Sequence, residues 1–89
     1  MPISYDPIKN QANVKVRGLS FDLVADFKFA DALIWQDTRN PYPEARFAAL
    51  GMIQKRLYAL IFTDVPDGIR VISFRKANAR EVIKYEQRT

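Results

Sequence analysis

Seven cations stand where a guanidinium or ammonium group can hold a phosphate: Lys15, Arg17, Arg46, Arg70, Arg75, Lys76 and Arg80. Each falls at the predicted end of a helix or strand, or on a strand whose neighbours are apolar. Lys9, Lys28, Lys55 and Lys84 instead occupy positions where side chains are simply solvated. A guanidinium fixed on a sheet face presents a planar fork of donors that matches phosphate oxygens in pairs. Along residues 69–74, period-two alternation sets Arg70, Ile72 and Phe74 on one face and Ile69, Val71 and Ser73 on the other. Arg46 opens a second strand in the same manner, beside Ala48, Leu50 and Met52. The pair Arg75-Lys76 lies between a strand and a helix whose start is signalled by Asn78 and Glu81, so free N–H groups add to two side-chain cations. Two readings are open for these residues. They pair with Asp or Glu at the rim of the sheet, or they hold the phosphates of RNA or DNA.

The chain contains no cysteine and no histidine. That removes the usual ligands of zinc and an essential member of Ser-His-Asp and Cys-His mechanisms. The aspartates (Asp22, Asp26, Asp31, Asp37, Asp64 and Asp67) are too scattered to form a ligand cluster. No metal and no cofactor is therefore expected, and any acid–base chemistry runs on Lys, Arg, Glu, Asp or Tyr. A net charge of +4 and a pI of about 9.6 admit nucleic acid or an acidic protein as partner.

The elements that position these cations follow from local signals. Residues 3–5 read as a short strand. Asp6-Pro7 starts a helix over 7–17, with Ile8, Ala12 and Val16 on one face and Gly18 at its C-cap. Ser20 caps a second helix over 21–27, with Phe21, Val24 and Ala25 sharing a face. Strands are predicted over 32–36, 45–53, 56–63 and 69–74. "DTRNPYPE" (37–44) reads as a loop, Gln54-Lys55 as a hairpin link and "DVPDG" (64–68) as a turn. A last helix runs from 79 to 87 behind the Asn78–Glu81 capping box. Most aromatics are expected in the core, with Tyr42 in the proline loop exposed and available for base stacking. The result is one α+β domain over residues 1–89: an antiparallel β-sheet of four to five strands, two N-terminal helices and one C-terminal helix. "MPISYDPIKN" has no apolar core of signal-peptide length and no stretch approaches a membrane span, so a cytoplasmic protein is expected.

Four stretches in order, "YDPIKNQAN", "RGLSF", "ARFAALG" and above all "RVISFRKANAREVIKYE" (70–86), resemble the BrnT toxins, the ribonuclease halves of bacterial type II toxin–antitoxin pairs. The similarity covers nearly the whole chain. It implies a RelE-like fold and RNA cleavage without a metal that halts translation. It also implies a BrnA-type antitoxin partner in a hetero-oligomer, with operator DNA bound only through that complex. The family's basic residues map onto the motif around 15–17, onto Arg46, and onto Arg75, Lys76 and Arg80. Arg46, Arg75 and Lys76 are then the catalytic candidates, and Lys15, Arg17, Arg70 and Arg80 the RNA-binding ones. Family members read Lys-His-Gly where this chain reads Val16-Arg17-Gly18. Arg17 can still hold a phosphate, but an arginine is a poor proton shuttle near neutral pH. Three expectations stand: an active endoribonuclease, a catalytically weakened toxin fold that serves as antitoxin partner and co-repressor, and, last and on net charge only, a plain nucleic-acid-binding module.

Overall fold

The computed structural model describes residues 2–88. The order is β1 (Ile3–Tyr5), α1 (Pro7–Arg17), 3₁₀ helices at Phe21–Asp26 and Phe29–Asp31, β2 (Leu33–Asp37), β3 (Arg46–Ile53), β4 (Arg56–Val65), β5 (Gly68–Lys76) and α2 (Ala79–Glu86). The five strands form one sheet in the order β1-β5-β4-β3-β2. Neighbours from β2 to β5 run antiparallel, as expected from the short links between them.

The sheet is mixed, however, and not purely antiparallel. β1 pairs with β5 in parallel, Ile3 opposite Ile69 and Tyr5 opposite Val71. This pairing begins where the Ile69 N–H donates to the Pro2 carbonyl at 3.1 Å. Gly68 makes the approach possible, since a Cβ at that position would collide with the same carbonyl.

One sheet face carries the core. Phe21, Val24 and Phe27 insert beneath Leu60, Phe62, Val71 and Phe74, all nearly inaccessible to solvent. Their spacing of three explains why the second helix is 3₁₀ and not α. At three residues per turn, positions i, i+3 and i+6 share one face, and Ala25 is left exposed. Gly51 lies over this layer, where an added Cβ would meet the Phe27 ring.

α1 corrects a second expectation. Its cap is as predicted, the Ile8 N–H donating to Asp6 at 2.9 Å, and Gly18 closes it at φ 69°. Yet Ile8, Ala12 and Val16 face solvent, and the helix docks through asparagines. Buried Asn13 donates to the carbonyls of Leu19 (3.0 Å) and Phe74 (2.9 Å), while Asn10 accepts from the Phe21 N–H at 2.7 Å. β1 covers β5 only as far as Val71, so the next stretch of β5 is a sheet edge, and α1 covers it with a polar contact.

β5 also carries a bulge. Ile61 faces Ser73 while Phe62 faces Val71, leaving Ile72 unpaired in the ladder. The predicted turn at 64–68 is narrower than expected, because Asp64 and Val65 continue β4.

Candidate functional site

The second sheet face holds an open groove of about 360 Å³. Its floor is made from the rows Ala48–Ile61–Ser73 and Leu50–Ala59–Arg75, read across β3, β4 and β5. Three small residues in the middle of long strands create the depression. Trp35 and the β2–β3 loop wall one side, and the first turn of α2 walls the other.

Two arginines frame this groove, Arg75 from β5 and Arg39 from the β2–β3 loop. Each meets a carboxylate with two nitrogens. Arg39 donates from Nε to Oδ1 and from one terminal nitrogen to Oδ2 of Asp37, both at 2.8 Å. Arg75 reaches Glu81 at 2.7 and 3.0 Å. Asp37 is buried, and the Arg39 guanidinium holds its carboxyl down to about 2. The Arg75 guanidinium, helped by the Asn78 N–H, likewise lowers Glu81, and Glu81 in turn raises Arg75. Both side chains line the groove, each paired with its own carboxylate.

Glu81 has two tasks at once. Its Oε1 accepts from the Asn78 N–H while Asn78 accepts from the Glu81 N–H, completing the predicted capping box, and the same carboxylate binds Arg75. The rim-pairing reading of the arginines thus describes their ground state.

The predicted site residues do not form one cluster. Arg17 is tied to the β5 edge and lies outside the groove lining: it donates to Asn13 at 2.9 Å, and Asn13 donates to the Phe74 carbonyl. Lys76 follows Arg75 on the same strand and is therefore directed to the opposite face, opposite Tyr58. The two cations do not act from one surface.

Arg46 lies on the groove's face, opposite Asp37 in the β2–β3 register but beyond it. It covers the Tyr42 ring at 4.1 Å and approaches Glu44 at 3.5 Å, and its Nε lacks a hydrogen-bond partner. Tyr42 is accordingly half-buried, not free for stacking as expected. Arg70 is exposed opposite Thr63 at the far end of β5. Lys15 is exposed on α1 and Arg80 on the first turn of α2.

Sequence reasoning missed Arg39, Asp37 and Trp35 as groove residues. One local signal was present: an Asp two residues before an Arg at a strand end forms an Asx-type turn, here the Arg39 N–H donating to Asp37 at 3.2 Å. On the α2 side, Lys84 lies 3.9 Å over the Trp35 ring and adds a third cation near the groove. Among the described residues no three His, Cys, Asp or Glu side chains converge, and no helix is long and apolar enough to cross a membrane.

The family model for the ribonuclease toxin BrnT of type II toxin–antitoxin systems matches residues 5–81. No curated protein matches the chain. The matched span runs from the end of β1 to the capping glutamate of α2, and so includes every groove residue named above. The chain belongs to the BrnT family.

Proposed function

We propose that this BrnT-family ribonuclease toxin binds RNA in the Arg39–Arg75 groove and cleaves it without a metal. The observation that carries the reading is the placement of two forked guanidiniums on one groove above a floor of small residues. Such a depression admits a sugar-phosphate backbone, and each fork is already engaged by a planar oxyanion, the geometry it would offer a phosphate.

The reaction is attack of a ribose 2′-oxygen on the adjacent phosphorus. The 2′-O–P bond forms and the P–O5′ bond breaks, giving a 2′,3′-cyclic phosphate and a 5′-hydroxyl. The 2′-hydroxyl proton leaves to a base, and the departing 5′-oxygen takes one up. Arg75 and Arg39 stabilise charge on the phosphoryl oxygens, an effect worth about 3–4 kcal/mol per well-placed donor. Arg17 holds the strand where it passes the β5 edge. Arg46, Lys15, Arg70 and Arg80 supply longer-range attraction that is sensitive to salt. Lys76 contributes from the other face of the sheet and is secondary. Cleavage of cytoplasmic RNA halts translation, and a BrnA-type antitoxin neutralises the toxin in a hetero-oligomer that reaches operator DNA through the antitoxin.

One observation favours a second reading. Both groove carboxylates are held ionised well below neutrality and Arg17 stands where the family has histidine, so the chain's proton-transfer groups are poorly matched to neutral pH. On that reading the protein is a weakened toxin fold, kept as antitoxin partner and co-repressor.

Incubation of purified protein with mixed-sequence RNA in EDTA, with mass analysis of fragment ends, separates the two. Cyclic-phosphate ends that fall about 100-fold or more in Arg39→Ala and Arg75→Ala, but less than threefold in Lys76→Ala, support the groove enzyme. Intact RNA at high protein excess supports the partner role. Equal loss in all three variants would sink the placement of the site.

A further inference from the structure

We infer that the outward face of α1 is the docking surface for the antitoxin, and that it takes an acidic, amphipathic segment of that partner. The inference rests on the toxin–antitoxin reading but not on turnover.

Because α1 docks through Asn10 and Asn13, its apolar stripe is turned outward. Ile8 is 76% and Val16 79% exposed, with Ala12 between them at helical spacing of four. Scattered single hydrophobes on a surface need no explanation, but an aligned row does. Ala12 and Val16 of the row border a shallow trough of about 320 Å³ whose other side is Ile72 and Ser73 of β5.

Charge decides the occupant. α1 carries Lys9, Lys15 and Arg17 and no acidic residue within the helix, so apart from the Asp6 cap the charged side chains beside the apolar row are cations. A partner that buries Ile8, Ala12 and Val16 while satisfying those cations presents apolar residues at three- and four-residue spacing edged with Asp or Glu. Arg17 also lines the trough, and Ser73 lines both the trough and the RNA groove. An antitoxin carboxylate on Arg17 would therefore sit at the rim of the groove and exclude RNA phosphates from it.

The test uses full-length toxin and the full-length antitoxin of its own pair, titrated by calorimetry at two salt concentrations. Ile8→Asp and Val16→Asp alter exposed residues outside the RNA groove, and circular dichroism checks that each variant is folded. The expected result is at least about tenfold weaker antitoxin binding for each, with RNA affinity within twofold of wild type. Lys9→Glu should weaken antitoxin binding and flatten its salt dependence. Unchanged antitoxin affinity in both Asp variants overturns the proposal, as does a loss confined to RNA binding. A wild-type homodimer that Val16→Asp converts to monomer without changing antitoxin affinity would assign the face to a second copy instead. Absence of ribonuclease activity in the wild type would count against the groove enzyme while leaving this measurement intact.

Discussion

Asn13 is the residue on which the placement of α1 depends, and its replacement gives a measurable test of that claim. The side chain is 7% exposed and spends both amide hydrogens on main-chain carbonyls, of Leu19 at 3.0 Å and of Phe74 at 2.9 Å. Asn13→Ala removes both donors. Each lost bond costs about 0.5–1.5 kcal/mol, and a carbonyl left buried without a partner adds desolvation cost of about 1–3 kcal/mol. The higher helix propensity of alanine returns roughly 0.5 kcal/mol. The net is about 1.5–5.5 kcal/mol, centred near 3 kcal/mol, a large part of the roughly 5–13 kcal/mol expected for a domain of this size. Thermal unfolding should fall by about 10–20 °C. Asn13→Asp sharpens the argument, since it keeps the size but points a carboxylate oxygen at two carbonyls. It gains only an (i, i+4) pair with Arg17, worth about 0.5 kcal/mol. Urea melts of the three proteins decide the matter. If Asn13→Asp is as stable as wild type, or clearly more stable than Asn13→Ala, the two donated bonds do not hold α1 to the sheet edge.

Two further outcomes follow from the packing and the charges. Gly51→Ala places a methyl group into the Phe27 ring and should cost about 1–3 kcal/mol in urea unfolding; a smaller loss would mean that the 3₁₀ layer is not tightly held against the sheet. Asp37 and Glu81 are both depressed, so the stability they add is present above their unfolded values near 4 and is lost as pH falls through the folded ones. For Asp37 the window runs from about pH 4 to about 2, and Asp37→Asn should flatten that part of the urea-midpoint profile; an unchanged slope would refute the pairing with Arg39.

The elements were legible where local chemistry decides them. The Asp6-Pro7 start, Gly18 stop and Asn78–Glu81 capping box each depend on residues within four positions of one another, and all appear as read. Facing and register were harder. The apolar row of α1 suggested a buried side, yet what the β5 edge needed was an amide donor for an unpaired carbonyl, and only the sheet reveals that need. Phe21, Val24 and Phe27 are spaced for a 3₁₀ face, but whether Ala25 or Phe27 turns inward depends on the sheet above. The parallel β1–β5 pair joins residues 66 positions apart, beyond any local signal. For the site, Arg75 could be found from its strand-end position. Arg39 carries only the local Asp37–Arg39 turn signal, which does not show the sheet face toward which that loop bends. The Arg75-Lys76 pair looked like one feature because the residues are adjacent, although strand alternation sends neighbours to opposite faces.

The capping glutamate offers the most direct way to ask what the groove is for. Glu81 occupies Arg75 as a phosphate would, so on the proposed function an RNA phosphate would have to displace it or share the guanidinium. Gln is the conservative probe, because a glutamine at the third helical position completes the same capping box and preserves the start of α2. Glu81→Gln removes the charge that neutralises Arg75 and leaves the fork available to an incoming phosphate. If the groove binds RNA, affinity should rise severalfold and the slope of log affinity against log salt should steepen by up to about one, the increment for one additional phosphate contact. Filter binding across 50–200 mM salt would measure both. If instead Arg75 serves only to hold α2 on the sheet, the variant will lose stability and gain no RNA affinity. That result would detach Arg75 from RNA and leave the groove as a structural seam between β5 and α2.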